Sequence, residues 1–189
     1  GTFGTSHKER MKTLLFLLFS AVLIFTVLPA LDSFAQAVPS NAKMGKTRLI
    51  TLGTAAGPPP KAGRAQSSNL LTVNGAHYVI DAGDGVARRI AKAGINVRDI
   101  GTIFITHHHD DHTAGLGTLM SVAWDNQRTH PINVYGPPQT EALVKAAVEY
   151  YGISAAIRIA DGGRSVPIAK IFLGHDVGTG VIYQDANIK

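Results

Sequence analysis

From Lys46 onward short apolar runs alternate with amphipathic stretches, and glycine or proline falls between them. TRLITLG (47–53) alternates polar and apolar positions and predicts a strand stopped by Gly53. A Gly/Pro-rich loop follows, in which Pro58, Pro59 and Pro60 forbid both helix and central strand. NLLTV (69–73) and HYVID (77–81) flank Asn74-Gly75, a strong hairpin signal that calls for a type I′ turn.

GDGVARRIAKAG (83–94) spaces Val86, Ile90 and Ala93 as one face of a helix stopped by Gly94. GTIFIT (101–106) is a β-branched apolar run and predicts a buried strand. A helix from about Asp111 to Asp125, a strand INVYG (132–136) and a helix over 138–152 ending at Gly152 come next. GVIYQD (180–185) predicts a late strand. A hairpin-rich start followed by strand–helix alternation gives an α/β fold with a mixed sheet.

Before this domain the pattern changes. Residues 1–10 precede the first methionine and read as upstream or fragment-edge residues, set aside from the fold. Met11 and Lys12 then introduce a long apolar stretch, followed by Ala35-Gln36-Ala37. A short basic start, an apolar segment and a small-residue site predict a signal peptide over 11–37, cut after Ala37, and a linker over 38–45. The expected location is therefore periplasmic or secreted, with a membrane anchor as the outcome if the segment is not cut. Once it is cut, no stable membrane partner is expected.

Composition adds two constraints. With 45% hydrophobic and 16% charged residues the chain is globular rather than disordered. It contains no cysteine, so any metal must be held by nitrogen and oxygen. The formal net charge of +5 suits an anionic substrate, but no lysine/arginine run interleaved with aromatics marks a nucleic-acid surface.

The candidate chemistry sits at the end of GTIFIT. Residues 107–112 read HHHDDH and hold four of the chain's eight histidines. In extended backbone i and i+2 share a side, so His107 and His109 can converge on one ion while His108 points away. His112 would project from the first turn of the next helix, and Asp111 can either cap that helix or offer its carboxylate to a metal. Zinc suits such donors, and manganese or ferrous iron also fits. A His/Asp run on an isolated solvent loop can bind stray metal without function, but here a strand stands before it and a glycine-bearing helix after. VIDAGDG supplies a second feature, because Asp81 at a strand end can orient a metal-binding histidine from behind.

THHHDDHTAGL resembles the HxHxDH signature of the metallo-β-lactamase superfamily, with His107, His109, Asp111 and His112 on its four positions. DAGDG is similar to that superfamily's earlier aspartate motif. LITLGTAAGPPPKAGRAQSSNLL and HDVGTGVIYQD resemble segments of its ribonuclease Z/arylsulfatase-like branch. The resemblance spans about residues 46–189 and implies a metallo-β-lactamase-type αββα sandwich. It further implies two divalent metal ions, usually zinc, and a bridging hydroxide that attacks an ester, amide or phosphodiester. In this branch Asp111 would ligate a metal and help handle the proton of the attacking water.

Family members draw a further histidine, a bridging aspartate and a last histidine from later motifs. Only His130 and His175 follow His112, and His175 precedes the GVIYQD strand after which the branch places its ligand. His175 is thus a weak candidate ligand, and Asp176 and Asp185 read as loop residues. The missing donors are expected beyond Lys189, so 46–189 reads as the N-terminal part of the domain, incomplete at its C-terminus. Two donors per ion fall short of the three or four that a stable site uses, which predicts an inactive fragment from an active protein. The expected activity is an exported hydrolase of phosphodiester or sulfate ester bonds, with a small-molecule ester favoured over nucleic acid. A glyoxalase II-type thioesterase, a lactonase or a β-lactamase is the alternative within the superfamily. A non-catalytic metal-binding fragment is the alternative outside enzymes.

Overall fold

The structure is a computed structural model that describes residues 47–189. The expected signal peptide (11–37), the linker (38–45) and residues 1–10 lie outside the described residues. Six strands form one mixed sheet in sequence order: β1 (Thr47–Gly53), β2 (Ser68–Val73), β3 (Ala76–Ile80), β4 (Thr102–Phe104), β5 (Ile132–Gly136) and β6 (Phe172–Asp176). β1, β2 and β3 pair antiparallel, and β3 through β6 run parallel. The hairpin between β2 and β3 turns at Asn74 and Gly75, whose φ values of 51° and 88° are those of the expected turn.

One row across the sheet shows why it holds together. Leu70, Val79, Ile103 and Val134 stand in register on four neighbouring strands, and each is 0% exposed. The next position in that row is Gly174, where an added Cβ would lie 2.7 Å from the Cα of Glu141. The α4 helix (Thr140–Ala160) therefore rests directly on β6 at this point. α1 (Val86–Lys92), a one-turn α2 (Asp110–Thr113) and α3 (Leu116–Asp125) complete the helices. Val86 and Ile90 from α1, Leu119, Met120 and Ala123 from α3, and Val144 from α4 join the sheet row in one core.

The opposite face of the sheet is aromatic. Phe104 and Tyr135 stand side by side with ring centroids 5.8 Å apart, and Tyr183 packs against both at 5.4 and 5.2 Å. Tyr78 donates a 2.6 Å hydrogen bond to Asp185, which ties residues 183–188 across this face. Among the described residues there is one sheet, so the α/β class is met while a second sheet of a sandwich is not among them.

Three expectations are corrected. The helix placed over 111–125 is two pieces, because Ala82 and Gly83 pack against the chain at 112–115: the Ala82 amide donates to the His112 carbonyl, and Gly115 donates back to Ala82. The helix placed over 138–152 does not end at Gly152. It runs to Ala160, since ISAAIRIA beyond it continues the helical pattern and a single glycine costs only about 1 kcal/mol. The late strand falls at Phe172–Asp176, not at 180–185, where the residues have no ladder partner among the described strands. Among the described residues no helix is long and apolar enough to cross a membrane.

Candidate metal centre

The parallel strands β3 and β4 end side by side, and their ends carry the candidate residues. Asp81 follows β3 and is 4% exposed, with a left-handed φ of 60°. Aspartate is among the few side chains that tolerate this conformation, and here it turns the carboxylate onto the end of β4. Its Oδ1 accepts the backbone amide of Thr106 at 2.8 Å, and the Thr106 hydroxyl lies 3.0 Å from both carboxylate oxygens. Its Oδ2 faces Nδ1 of His112 at 2.8 Å. Asp81 thus sits behind His112, as expected of an orienting carboxylate.

Backbone packing holds these parts close. An added Cβ on Gly83 would lie 2.3 Å from the carbonyl oxygen of Asp111, a separation that no side chain survives. The chain at 81–85 and the chain at 109–115 can approach this closely only with glycine between them.

The network fixes which ring nitrogens carry protons, by assignment from hydrogen-bond partners. A carboxylate only accepts, so Nδ1 of His112 donates to Asp81 and its Nε2 presents a lone pair. The single hydroxyl proton of Thr106 goes to Asp81, so Thr106 Oγ1 accepts from Nδ1 of His107 at 3.0 Å. Nε2 of His107 is then also free of a proton. It faces Nδ1 of His109 at 3.2 Å.

These distances test the donors against a metal. Two ligands on one tetrahedral zinc, each about 2.05 Å from it, stand about 3.3 Å apart. The His107–His109 separation of 3.2 Å matches that edge. Asp111 Oδ2 and His112 Nε2 are 3.8 Å apart, about 0.5 Å beyond that edge. The rings of His107 and His112 lie 4.0 Å apart between centroids, so the two pairs are adjacent. Among the described residues no three such side chains group around one point. The donor set therefore fits two ions in pairs and completes neither.

Asp111 is 8% exposed and does not cap its helix. Asp110 Oδ1 accepts the Asp111 amide instead, and Asp111 Oδ2 accepts the amide of Gly57 at 2.9 Å. His108 points away, its Nε2 3.0 Å from the Thr140 hydroxyl at the start of α4. Beside it Asp176 accepts the amides of Gln139 and Glu141 at 2.9 Å each, and these amides lower its pKa.

His175 is not part of the centre. Its Nε2 pairs with Asn133 at 2.8 Å and its ring stacks on Tyr135 at 4.6 Å, on the aromatic face of the sheet. Two participants were missed in the sequence. Thr106 had a signal, standing between a strand end and the first histidine. Gly57 had none, because its pairing spans 54 positions.

Comparison with known proteins gives the family of the chain. The profile of the family described as Anti-Pycsar protein Apyc1 matches residues 47–146. Ribonuclease Z of Mycobacterium sp. (strain KMS) is 36% identical over 113 residues, covering 59% of this chain and 40% of the relative. Ribonuclease Z of Methanococcus aeolicus is 33% identical over 126 residues, covering 66% and 39%. The crystal structure of human tRNase Z, short form, superposes with a TM-score of 0.52 at 26% identity, over 68% of this chain and 43% of that one. The chain spans about two fifths of the length of the curated relatives it matches. It belongs to the family described as Anti-Pycsar protein Apyc1, and to the ribonuclease Z branch of the metallo-β-lactamase superfamily.

Proposed function

We propose that this chain carries the metal-binding core of a metal-dependent hydrolase that cleaves phosphodiester bonds. The observation that carries the reading is the pairing of donors: His107 with His109, and Asp111 with His112, backed by Asp81 and Thr106. Zinc is the ion that suits these nitrogen and carboxylate donors best. Two such ions, held by these residues, would supply an ionised water at neutral pH and offset charge on the phosphoryl oxygens.

The chain's own residues do the rest. Asp81 and Thr106 hold His112 and His107 in the tautomers whose Nε2 is unprotonated. Asp111, with Oδ2 engaged by Gly57, keeps Oδ1 to take the proton of the attacking water. The relatives named ribonuclease Z favour a phosphodiester over a sulfate ester and draw the substrate toward nucleic acid. A small phosphodiester remains our choice, because the sequence carries no basic run for an RNA backbone and begins its export segment at Met11.

The test is turnover by the full-length, zinc-loaded protein of a bis-aryl phosphate, an aryl sulfate, a lactone, a thioester, a β-lactam and a precursor tRNA. The bis-aryl phosphate is expected to turn over fastest and to stop on chelation. Preference for the β-lactam or the sulfate contradicts the phosphodiester choice, and preference for the tRNA contradicts the small substrate. No turnover of any of them by metal-loaded protein favours a non-catalytic metal-binding chain.

Export is part of the proposal. It rests on Met11, the apolar stretch and Ala35-Gln36-Ala37. A mature N-terminus at Val38 in an exported fraction supports it. Full-length protein retained in the membrane replaces cleavage with anchoring, and protein retained in the cytoplasm contradicts export.

A further inference from the structure

The loop between β1 and β2 carries three consecutive prolines, Pro58 to Pro60, and so lacks three amide donors. It cannot be held by a backbone ladder there. It offers carbonyls instead, and one buried side chain meets them. Gln66 is 5% exposed, and its Nε2 donates to the carbonyl of Pro58 at 3.0 Å and, more weakly, to that of Gly57 at 3.5 Å. Its Oε1 accepts the amide of Asp84 at 3.0 Å, in the turn that follows Asp81. Two backbone bonds run alongside, from the Gln66 amide to the Asp84 carbonyl and from the Gly83 amide to the Ser67 carbonyl.

The other end of this arrangement is the candidate centre. Gly57 has a φ of +77°, which side chains rarely adopt, and its N–H lies 2.9 Å from Asp111 Oδ2. That oxygen is also the one nearest Nε2 of His112. We propose that Gln66 is a positioning residue: it latches Gly57-Pro58 to the Asp81–Asp84 turn and so aims the Gly57 amide at Asp111. The amide then holds the carboxylate rotamer in which Oδ2 faces His112. The inference rests on the reading of Asp111 and His112 as a metal-binding pair.

The consequence follows from the free rotation of a carboxylate. Without the Gly57 amide, Asp111 loses its only hydrogen-bond donor outside its own segment among the described residues, and its donor oxygen leaves the side shared with His112. Groups that orient a metal ligand from behind typically change metal affinity by about 10- to 100-fold.

Gln66→Leu removes both ends of the latch at similar size, and Gln66→Glu keeps the acceptor for Asp84 while losing the donor to the loop. The first measurement is amide hydrogen exchange of Gly57 in the metal-free protein, read by nuclear magnetic resonance. The second is cobalt(II) titration of the full-length protein by visible absorbance, with Asp111→Asn as comparator. Both Gln66 variants are expected to speed Gly57 exchange at least tenfold, leave the Ile103 amide unchanged, and weaken one of two cobalt sites about tenfold or more.

Unchanged Gly57 exchange in both variants overturns the latch. Faster exchange with undiminished cobalt binding, while Asp111→Asn does lose it, overturns the positioning role. If Asp111→Asn itself leaves cobalt binding intact, the metal reading fails, and Gly57 exchange still decides the latch.

Discussion

Nδ1 of His112 lies 2.8 Å from Oδ2 of Asp81, a contact between the first turn after one strand and the end of its neighbour. The same carboxylate receives the Thr106 amide and hydroxyl. One buried side chain therefore sets the tautomer of His112 directly and that of His107 through Thr106.

Replacing Asp81 should be felt in stability before any chemistry. Asp81→Ala leaves the Thr106 amide and His112 Nδ1 without their acceptor, which is expected to lower stability by about 3 kcal/mol in urea denaturation of the metal-free protein. Asp81→Asn tolerates the left-handed backbone and should lose less. An Asp81→Ala protein as stable as the parent would show that the carboxylate is not the joint between the two strand ends.

Gly83 makes a close backbone approach behind the centre. Its missing Cβ would meet the Asp111 carbonyl at 2.3 Å and the Gln66 Cβ at 2.6 Å, so Gly83→Ala must move one segment. A loss of about 3 kcal/mol is expected, with the 15N resonances of residues 109–112 displaced. Resonances that stay in place would contradict the packing.

Gly152 behaves in the opposite way. It sits inside α4, and nothing lies within 4 Å of an added Cβ. Gly152→Ala should raise stability by about 0.5–1 kcal/mol through helix propensity alone. A destabilised variant would mean that the helix ends near residue 152 after all.

The strap over the aromatic face has its own pH limits. The hydrogen bond from Tyr78 lowers the pKa of Asp185 from 3.8 to about 2, and burial with the same bond raises that of Tyr78 from 10.0 to about 12. A lowered carboxylate pKa favours the strap above pH about 4, a contribution lost as pH falls through about 2. A raised phenol pKa favours it fully below pH about 10, a contribution lost as pH rises through about 12. Carboxyl 13C shifts of Asp185 should titrate near 2, and tyrosinate absorbance should include a late phase near 12 from Tyr78. Ordinary midpoints for both would show that the two side chains are not bonded.

Much of this was legible from local pattern. The period-2 alternation of 47–53, the Asn74-Gly75 turn and the β-branched run before His107 depend on neighbours in sequence, and the structure has them at or within a few residues of the same places. The shared side of His107 and His109 follows from strand periodicity, and Asp81 behind His112 from its place at a strand end. What escaped depends on distant partners. β6 is a five-residue strand with a glycine in its middle, and only the packing of α4 on Gly174 explains it. GVIYQD has strand chemistry but no neighbour to pair with among the described residues. The Gly57 amide meets Asp111 across 54 positions, which no local pattern encodes.

We assign three ring nitrogens and one carboxylate to the metal centre. Imidazole 15N resonances recorded during zinc titration of the full chain test it most directly. Nε2 of His107, Nδ1 of His109 and Nε2 of His112 are expected to shift, while His108, paired with Thr140, and His175, paired with Asn133, stay unchanged. Shifts at His108 or His175 in place of that set, or no shift in the cluster at saturating zinc, would contradict it.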